Sequence, residues 1–221
     1  MIIYPHDPRY IMHGRADQPT DSVVVREIFC ENVYEVFDGD LSDTKIVVDI
    51  GANIGAFGIY MHSLDPDVKV YAFEPEQNNY DLLVENIKLN KLENTITPIK
   101  LGVGDENGVA YITNDGGDSK ITVINGGEQI HTIRLQDWWK QQGKDFEFVD
   151  VLKIDVEGYE YQIIMDTPTD LFNLCRYITV EIDSVLNEVE FGEIVAKLSK
   201  THQLKVIGKP NYGGYIYGKR Y

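Results

Sequence analysis

The segment VDVLKIDVEG, which begins at Val149, starts as an apolar run and is interrupted after Leu152 by three charged residues. Lys153, Asp155 and Glu157 stand where a buried strand would end, and charged groups are costly to bury without a partner or a task. Asp155 or Glu157 could act as a general base, with a pKa raised by neighbouring carboxylates, while Lys153 could orient an acceptor. The alternative is a structural Lys–Asp pair in which each charge neutralises the other.

A second acidic pair, Glu181 and Asp183, ends the later apolar run YITVEID. Together with Asp155, these residues would supply the hard oxygen ligands that Mg²⁺ and Ca²⁺ prefer. Clustered acids also occur at solvated strand ends, so a divalent metal is an open alternative that we do not favour.

A glycine turn and a later carboxylate indicate a binding site. In DIGANIG, Gly51 permits a tight turn with no Cβ against a ligand, and Gly55 lets the next helix begin close to the sheet. The N-terminus of that helix offers free N–H groups. In VYAFEP, Glu74 ends a second strand, where a carboxylate can accept hydrogen bonds from both hydroxyls of a ribose. The pairing predicts a nucleoside-binding site.

The elements that would position these residues alternate between strand and helix. Short apolar runs predict core strands, at 45–50, 67–75, 95–103, 148–155 and 177–182. Helical spacing of apolar residues predicts the intervening helices, and the last residues, 203–221, predict an antiparallel hairpin. This order implies an α/β fold with a mostly parallel sheet, whose ligands bind outside the carboxyl ends of the strands. In the short helix at 135–143, we expect one core and one surface residue in the pair Trp138 and Trp139.

An NAD-dependent reductase is a less favoured reading of the glycine turn. The dinucleotide fingerprint G-x-G-x-x-G is broken because Asn53 stands where the second glycine should be. Tyr215 and Lys219 match the Tyr-x-x-x-Lys spacing of short-chain dehydrogenases. Their segment is predicted as a strand, where the two side chains would lie roughly 13 Å apart. We therefore treat that match as chance.

Three motifs in a fixed order, VVDIGANIG, VYAFEP and VLKIDVEGYE, resemble those of the class I methyltransferases that use S-adenosylmethionine. They resemble the FkbM-type family more closely, and KIDVEG is the motif that points to it. The resemblance spans roughly residues 33–182. It implies a Rossmann-like fold with a mostly parallel seven-stranded sheet and an antiparallel last strand. It also implies methyl transfer, in this family usually to a hydroxyl oxygen.

The resemblance also implies a set of cofactor-binding residues, namely Asp49, Gly51, Asn53, Gly55, Glu74, Gly104, Asp105 and Asp155. The first four would surround the methionine part of the cofactor, and Glu74 would bind its ribose. Gly104 and Asp105 would lie beside the adenine, with Asp105 near the exocyclic amine, although their loop GDENG equally fits a simple β-turn. Asp155 would lie near the amino group of the cofactor or the reacting oxygen.

Composition narrows the class of partner. The 221 residues carry a formal net charge of -16, which argues against DNA or RNA because phosphate binding needs a basic surface. Cys30 and Cys175 are read as separate buried thiols rather than a disulfide framework.

We see no signal peptide and no membrane segment, so we expect a cytoplasmic protein with no membrane partner. Its oligomeric state is left open.

The chain is predicted to contain a lead-in and one domain. Residues 1–44 read as a helix followed by a short strand and could form a lid in which His6 or His13 lines the acceptor pocket. Residues 45–221 form the methyltransferase domain, with a small β insert at about 104–135. We predict an S-adenosylmethionine-dependent O-methyltransferase acting on a small molecule or a glycan. The alternative from another class is a non-catalytic module that binds the cofactor for interaction only.

Overall fold

The structure is a computed structural model, and it describes residues 1–3, 5, 7–31, 33, 41–114, 119–122, 127–182, 186–209 and 212–221. The strands in these ranges are β1 (Ile2–Ile3), β2 (Met12–His13), β3 (Ile46–Ile50), β4 (Lys69–Phe73), β5 (Ile96–Ile99), β6 (Gly102–Gly104), β7 (Gly108–Asn114), β8 (Ser119–Thr122), β9 (Glu128–Arg134), β10 (Val149–Ile154), β11 (Cys175–Ile182), β12 (His202–Lys209) and β13 (Gly213–Arg220). The helices are α1 (Thr20–Phe29), α2 (Ala56–Leu64), α3 (Gln77–Leu89), α4 (Leu135–Gln141), α5 (Glu160–Asp166), α6 (Thr169–Phe172) and α7 (Glu188–Leu198), with a 3₁₀ helix at Gly143–Phe146.

The main sheet positions the site. Over the described ranges it has seven strands in the order β12-β13-β11-β10-β3-β4-β5. β13 runs antiparallel to both of its neighbours, and the remaining pairs are parallel. This confirms the predicted Rossmann-like fold with an antiparallel last strand. The strand order reverses between β3 and β10, which is the switch point where ligands bind in such sheets.

Helices cover both faces of this sheet. Successive strand residues point to opposite faces, so Val47 and Val48 of β3 enter two different cores. The first core also holds Phe57 of α2, and the second holds Ile163 of α5. Because helices shield both faces, β10 is buried at every position, including its charged residues Asp150 and Lys153.

The tryptophan pair corrects one prediction. Trp138 and Trp139 are both buried, so the expectation of one surface residue is wrong. The 3₁₀ helix brings Phe146 against both rings, with centroid distances of 5.2 Å to Trp138 and 5.3 Å to Trp139. The indole N–H of Trp139 donates to the Phe146 carbonyl at 2.9 Å, which satisfies its one polar group inside the core.

The middle of the chain adds a second sheet. Its described strands follow the order β6-β9-β7-β8, in agreement with the small β insert that the sequence predicts. The β7–β8 and β7–β9 pairs are antiparallel, whereas β6 pairs with β9 in parallel. Because β6 directly follows β5 in the chain, this sheet is anchored beside the edge where β4 and β5 end.

The lead-in, which includes α1, packs on the face of the sheet that α2 and α3 cover. The predicted helix is α1, whereas the strand expected after it falls in residues 34–40, outside the described residues. β1 and β2 pair with each other and have no signal in the sequence. Asn86 of α3 fixes β2, because its side-chain amide accepts from the His13 N–H at 2.6 Å and donates to the His13 carbonyl at 3.1 Å. In the part of the chain that the structure describes, no helix is long and apolar enough to cross a membrane.

Candidate active site

The glycine turn after β3 is shaped by its neighbouring strands. Gly51 and Ala52 donate their N–H groups to the Phe73 carbonyl at 3.1 and 2.8 Å, which fixes the turn against β4. Gly51 has a φ of 83°, and a Cβ on it would lie 1.6 Å from the carbonyl oxygen of Asp155. The expectation that Gly51 leaves room for a ligand is therefore incomplete, because the backbone after β10 takes that room.

Gly55 begins α2 with a φ of 91°, and its missing Cβ serves helix packing. A Cβ there would lie 2.7 Å from Cδ1 of Leu83 on α3. The predicted close approach is therefore real, but it is made to the neighbouring helix. Asn53, between the two glycines, has a φ of 49°, a left-handed conformation that asparagine tolerates better than most residues.

Glu74 follows β4 and lies directly across from this turn. One carboxylate oxygen accepts the Asn53 N–H at 2.9 Å, and the other accepts the Glu76 N–H at 2.9 Å. Burial raises the pKa of Glu74 to about 7, although both backbone N–H groups oppose the rise. The Asn79 side chain also hydrogen-bonds to this carboxylate, and the lone pairs that remain can accept ligand hydroxyls.

Lys153 forms a buried charge cluster under the turn. Its Nζ lies 3.2 Å from Oδ1 of Asp49 and 3.0 Å from Oδ2 of Asp155, and it donates to the Gly51 carbonyl at 3.0 Å. Asp49 is fully buried, which raises its pKa, and the charge of Lys153 opposes this rise. These contacts favour the structural reading of Lys153, in which it holds β3 and β10 together.

A cavity of about 620 Å³ opens along this edge of the sheet. Five of the predicted site residues line it: Gly51, Asn53, Glu74, Asp155 and Glu157. Its apolar walls include Phe73, Leu101 and Val103. The structure therefore brings the glycine turn, the carboxylate after β4 and the end of β10 to one pocket, within the size range of small-molecule sites.

Five other predicted residues do not line this cavity, namely Asp49, Gly55, Gly104, Asp105 and Lys153. Asp49 and Lys153 lie beneath it. Asp105 accepts a hydrogen bond from the Tyr159 hydroxyl at 2.8 Å, which helps to raise the pKa of that phenol, already raised by burial, to about 12. Leu101–Val103, just before this loop, take the place at the cavity wall that the resemblance gives to Gly104 and Asp105.

Some cavity residues carry no clear signal in the sequence. The lead-in contributes Arg15, Pro19 and Val23 to the wall. Arg15 is held by Asp21, with Nη2 2.7 Å from Oδ1. Asn79 of α3 also lines the cavity, one turn after the Glu74–Pro75 step. The sequence offered one signal for Asn79, because it is a polar residue in the first turn of the helix that follows Glu74.

The carboxylates of β10 and β11 do not form a metal site within the described residues, where no three His, Cys, Asp or Glu side chains are grouped to hold an ion. Asp183, one of the three predicted oxygen ligands, lies outside those residues, as does His6. His13 pairs with Glu85, with 2.6 Å between its Nδ1 and Oε1, and does not line the cavity.

The fold is that of the class I methyltransferases. It is similar to the crystal structure of precorrin-6y C5,15-methyltransferase from Geobacter metallireducens, with a TM-score of 0.55 and 13% identity, covering 99% of this chain and 98% of that one. The family model described as the methyltransferase FkbM domain matches residues 49–209. The chain therefore belongs to the FkbM methyltransferase family.

Two curated relatives agree with this assignment. The chain is 27% identical over 191 residues to the methyltransferase sdnD of Sordaria araneosa, covering 72% of this chain and 73% of that protein. It is also 27% identical over 219 residues to the 31-O-demethyl-FK506 methyltransferase FkbM of Streptomyces tacrolimicus, covering 83% and 82%.

Proposed function

We propose that this protein uses S-adenosylmethionine to methylate a hydroxyl oxygen of a small molecule or a glycan. The observation that carries the proposal is Glu74, a buried carboxylate fixed by two backbone N–H groups at the edge of the cavity. A carboxylate held in this way can accept both hydroxyls of a ribose. The relative named for 31-O-demethyl-FK506 supports an oxygen acceptor.

The polar residues of the cavity fit a nucleoside with an amino-acid tail. Asn53 and Asn79 each have a buried side-chain oxygen that has no hydrogen-bond partner in the described part of the chain. Buried polar groups are normally paired, so these two oxygens suit donors on a ligand. Asn53 lies in the turn expected to hold the methionine part, and Asn79 lies beside Glu74 on the ribose side.

The apolar residues of the cavity fit an aromatic base. Phe73, Leu101, Val103 and Ile112 come from the ends of β4 and β5 and from the second sheet, and they line the side of the cavity near Glu74. A flat base gains from such a surface because its apolar faces leave water. We therefore place the adenine here.

The cofactor supplies a methyl group activated by a sulfonium centre. The chain contributes alignment and exclusion of water, which such a displacement needs most. The lead-in residues Arg15, Pro19 and Val23 cover one side of the cavity. Asp155 lines the cavity just after β10, with its carboxylate oriented by Lys153. The acceptor hydroxyl would enter beside Asp155.

Calorimetry with S-adenosylmethionine, S-adenosylhomocysteine and NADH tests this proposal. We expect both adenosyl ligands to bind and NADH not to bind. Glu74→Gln should weaken both by about tenfold or more, because it removes a charged acceptor from two ribose hydroxyls. Glu93→Gln, an exposed glutamate in the turn after α3, is the matched control and should bind as the parent protein does.

Three results would contradict the proposal in different ways. No binding of either adenosyl ligand would refute the cofactor assignment. NADH binding in their place would favour a reductase. Adenosyl binding without labelled methyl transfer to any hydroxylated sugar or polyol would favour a non-catalytic module.

A further inference from the structure

A second cavity of about 320 Å³ lies beside the first. The two share Asp155 and Glu157 at their common wall. The second cavity is also lined by Glu160, Glu181 and the residues that lead into β13, from Tyr212 to Gly214. A molecule in this cavity would meet the first cavity at the end of β10, where we place the acceptor hydroxyl.

Two of the carboxylates here are already engaged or out of reach. Asp155 has its Oδ2 3.0 Å from the Lys153 ammonium, so that oxygen already faces a proton donor. Glu160 is 1% exposed, and its Oε1 accepts the N–H groups of Val156 and Gly158 at 3.0 and 3.1 Å. Glu160 therefore holds the turn after β10 with one oxygen, and its other oxygen is buried without a hydrogen-bond partner among the described residues. At 1% exposed, Glu160 is less open to an entering molecule than Glu181.

Glu157 is poorly placed to face an enclosed reacting group. It has a φ of 56° in the turn between β10 and α5, and its side chain is exposed to solvent. Its carboxylate therefore faces solvent rather than an enclosed acceptor hydroxyl. This leaves Glu181, which lies at the end of β11 and lines the second cavity.

Glu181 is partly buried and surrounded by groups that favour its protonated form. Its Cα pairs with that of Tyr215 on β13. Burial, followed by the charge of Asp155, raises the pKa of Glu181 to about 8, and Glu157 and Glu27 of α1 act in the same direction. Lys153 opposes them, and the phenols of Tyr215 and Tyr217 on β13 also face this group. A carboxylate in this setting accepts a proton readily near neutral pH.

We propose that Glu181 is the catalytic proton acceptor, and that the cavity it lines receives the methyl acceptor. This inference rests on the proposed function. As the acceptor oxygen forms its bond to the methyl carbon, the carbon–sulfur bond breaks and its electron pair stays on sulfur. The hydroxyl proton passes to the Glu181 carboxylate, and both atoms and charge balance.

The first test needs no acceptor. In protein labelled with ¹³C at the glutamate side-chain carboxyls, Glu181 should give a signal with a titration midpoint near pH 8. Glu181→Gln should remove that signal and leave the others in place. Glu188→Gln, at the exposed start of α7, is the control and should keep it. If Glu181 titrates below about pH 6, in the usual range of a glutamate, the inference is overturned.

The second test measures labelled methyl transfer to methyl glucoside as a neutral polyol probe. Glu181→Gln should lower kcat by about 100-fold or more while KM changes less than about threefold. The parent rate should rise with pH to a plateau with a midpoint near 8, because the base must be ionised, and this limb should vanish in the variant. Glu181→Asp, which keeps a carboxylate, should recover part of the rate.

The outcomes separate this inference from the proposed function. If Glu181→Gln keeps its rate while Asp155→Asn abolishes transfer, Asp155 is the base and this inference fails alone. Calorimetry should show that Glu181→Gln binds S-adenosylhomocysteine as the parent does, and loss of that binding would overturn a purely catalytic role. If methyl glucoside is not methylated, the carboxyl titration of Glu181 still decides whether the inference holds. Failure of the parent protein to bind S-adenosylhomocysteine would refute the proposed function itself.

Discussion

The two walls of the site hold their carboxylates in different ways. At the glycine turn, Glu74 is fixed by two backbone N–H groups from neighbouring turns. At the ends of β10 and β11, Asp155, Glu157, Glu160 and Glu181 share one cavity. Lys153 forms an ion pair with Asp155 of this group and also with Asp49. The first wall fixes one carboxylate with backbone donors, whereas the second gathers four carboxylates around one cavity.

This difference suggests a division of labour between the walls. A carboxylate whose partners are backbone N–H groups stays in one position, which suits recognition of a ligand. Carboxylates crowded in one partly buried place repel one another, so one of them takes up a proton more readily, which suits proton transfer. The turn at Gly51 and the ammonium of Lys153 join the two walls. Substitution of either residue should therefore disturb both walls.

The largest effect is expected from Gly51→Ala. Its new Cβ would meet the Asp155 carbonyl oxygen at 1.6 Å, so the two walls could not keep their positions. We expect a loss of about 4 kcal/mol or more in the free energy of unfolding, measured by urea denaturation. Gly143→Ala is the control, because Gly143 also has a positive φ of 72° but nothing lies within 4 Å of its Cβ position. It should lose only about 1 kcal/mol, and equal losses would contradict the clash.

A smaller loss is expected from Lys153→Met, which removes the ammonium that joins the walls. Asp49 would remain fully buried without its partner, so we expect a loss of about 3 kcal/mol in the free energy of unfolding. Adding Asp49→Asn to the variant should restore part of this loss, because no buried carboxylate then remains at that position. Lys140→Met removes an exposed lysine and should change stability by less than about 0.5 kcal/mol. A similar loss of stability in Lys153→Met and Lys140→Met would contradict a central role for the ion pairs of Lys153.

The smallest effect is a pH dependence that comes mainly from Glu181 on the second wall. The pKa of Glu181 rises from its ordinary 4.5 to about 8 in the folded protein, so the folded state holds this proton more tightly than the unfolded chain. Its contribution to stability is fully present below pH 4.5 and is lost as the pH rises through 8. Between pH 6 and 8 we expect the free energy of unfolding to fall by on the order of 2 kcal/mol from this group.

The Glu181→Gln variant tests whether Glu181 causes this pH dependence of the free energy of unfolding. Its stability curve should be flatter over the same range, with a residual slope because burial also raises the pKa values of Glu74 and Glu160 to about 7. Urea denaturation at several pH values measures both curves. An unchanged slope in the variant would place the titration on another group, and Glu188→Gln should follow the parent curve.

Much of the fold was predictable from local patterns. Each core strand is a short apolar run ended by a glycine or a charge, and the chain order of strands and helices restricts the sheet to few arrangements. The glycine turn and Glu74 were also predictable as neighbours, because consecutive strands usually pair. Trp138 and Trp139 show the limit, since a contact with Phe146 several residues later buries the second ring.

The sequence by itself determined the family, the sheet and the residues that end its strands, because these depend on local periodicity and short motifs. Only the tertiary structure decided what each residue does there. Asp49 and Lys153 meet on adjacent strands although they are far apart in the chain, and Gly51 is required by a carbonyl that follows β10. Burial and neighbouring charges set the proton affinity of Glu181, and they arise only when β10, β11, β13 and α1 come together.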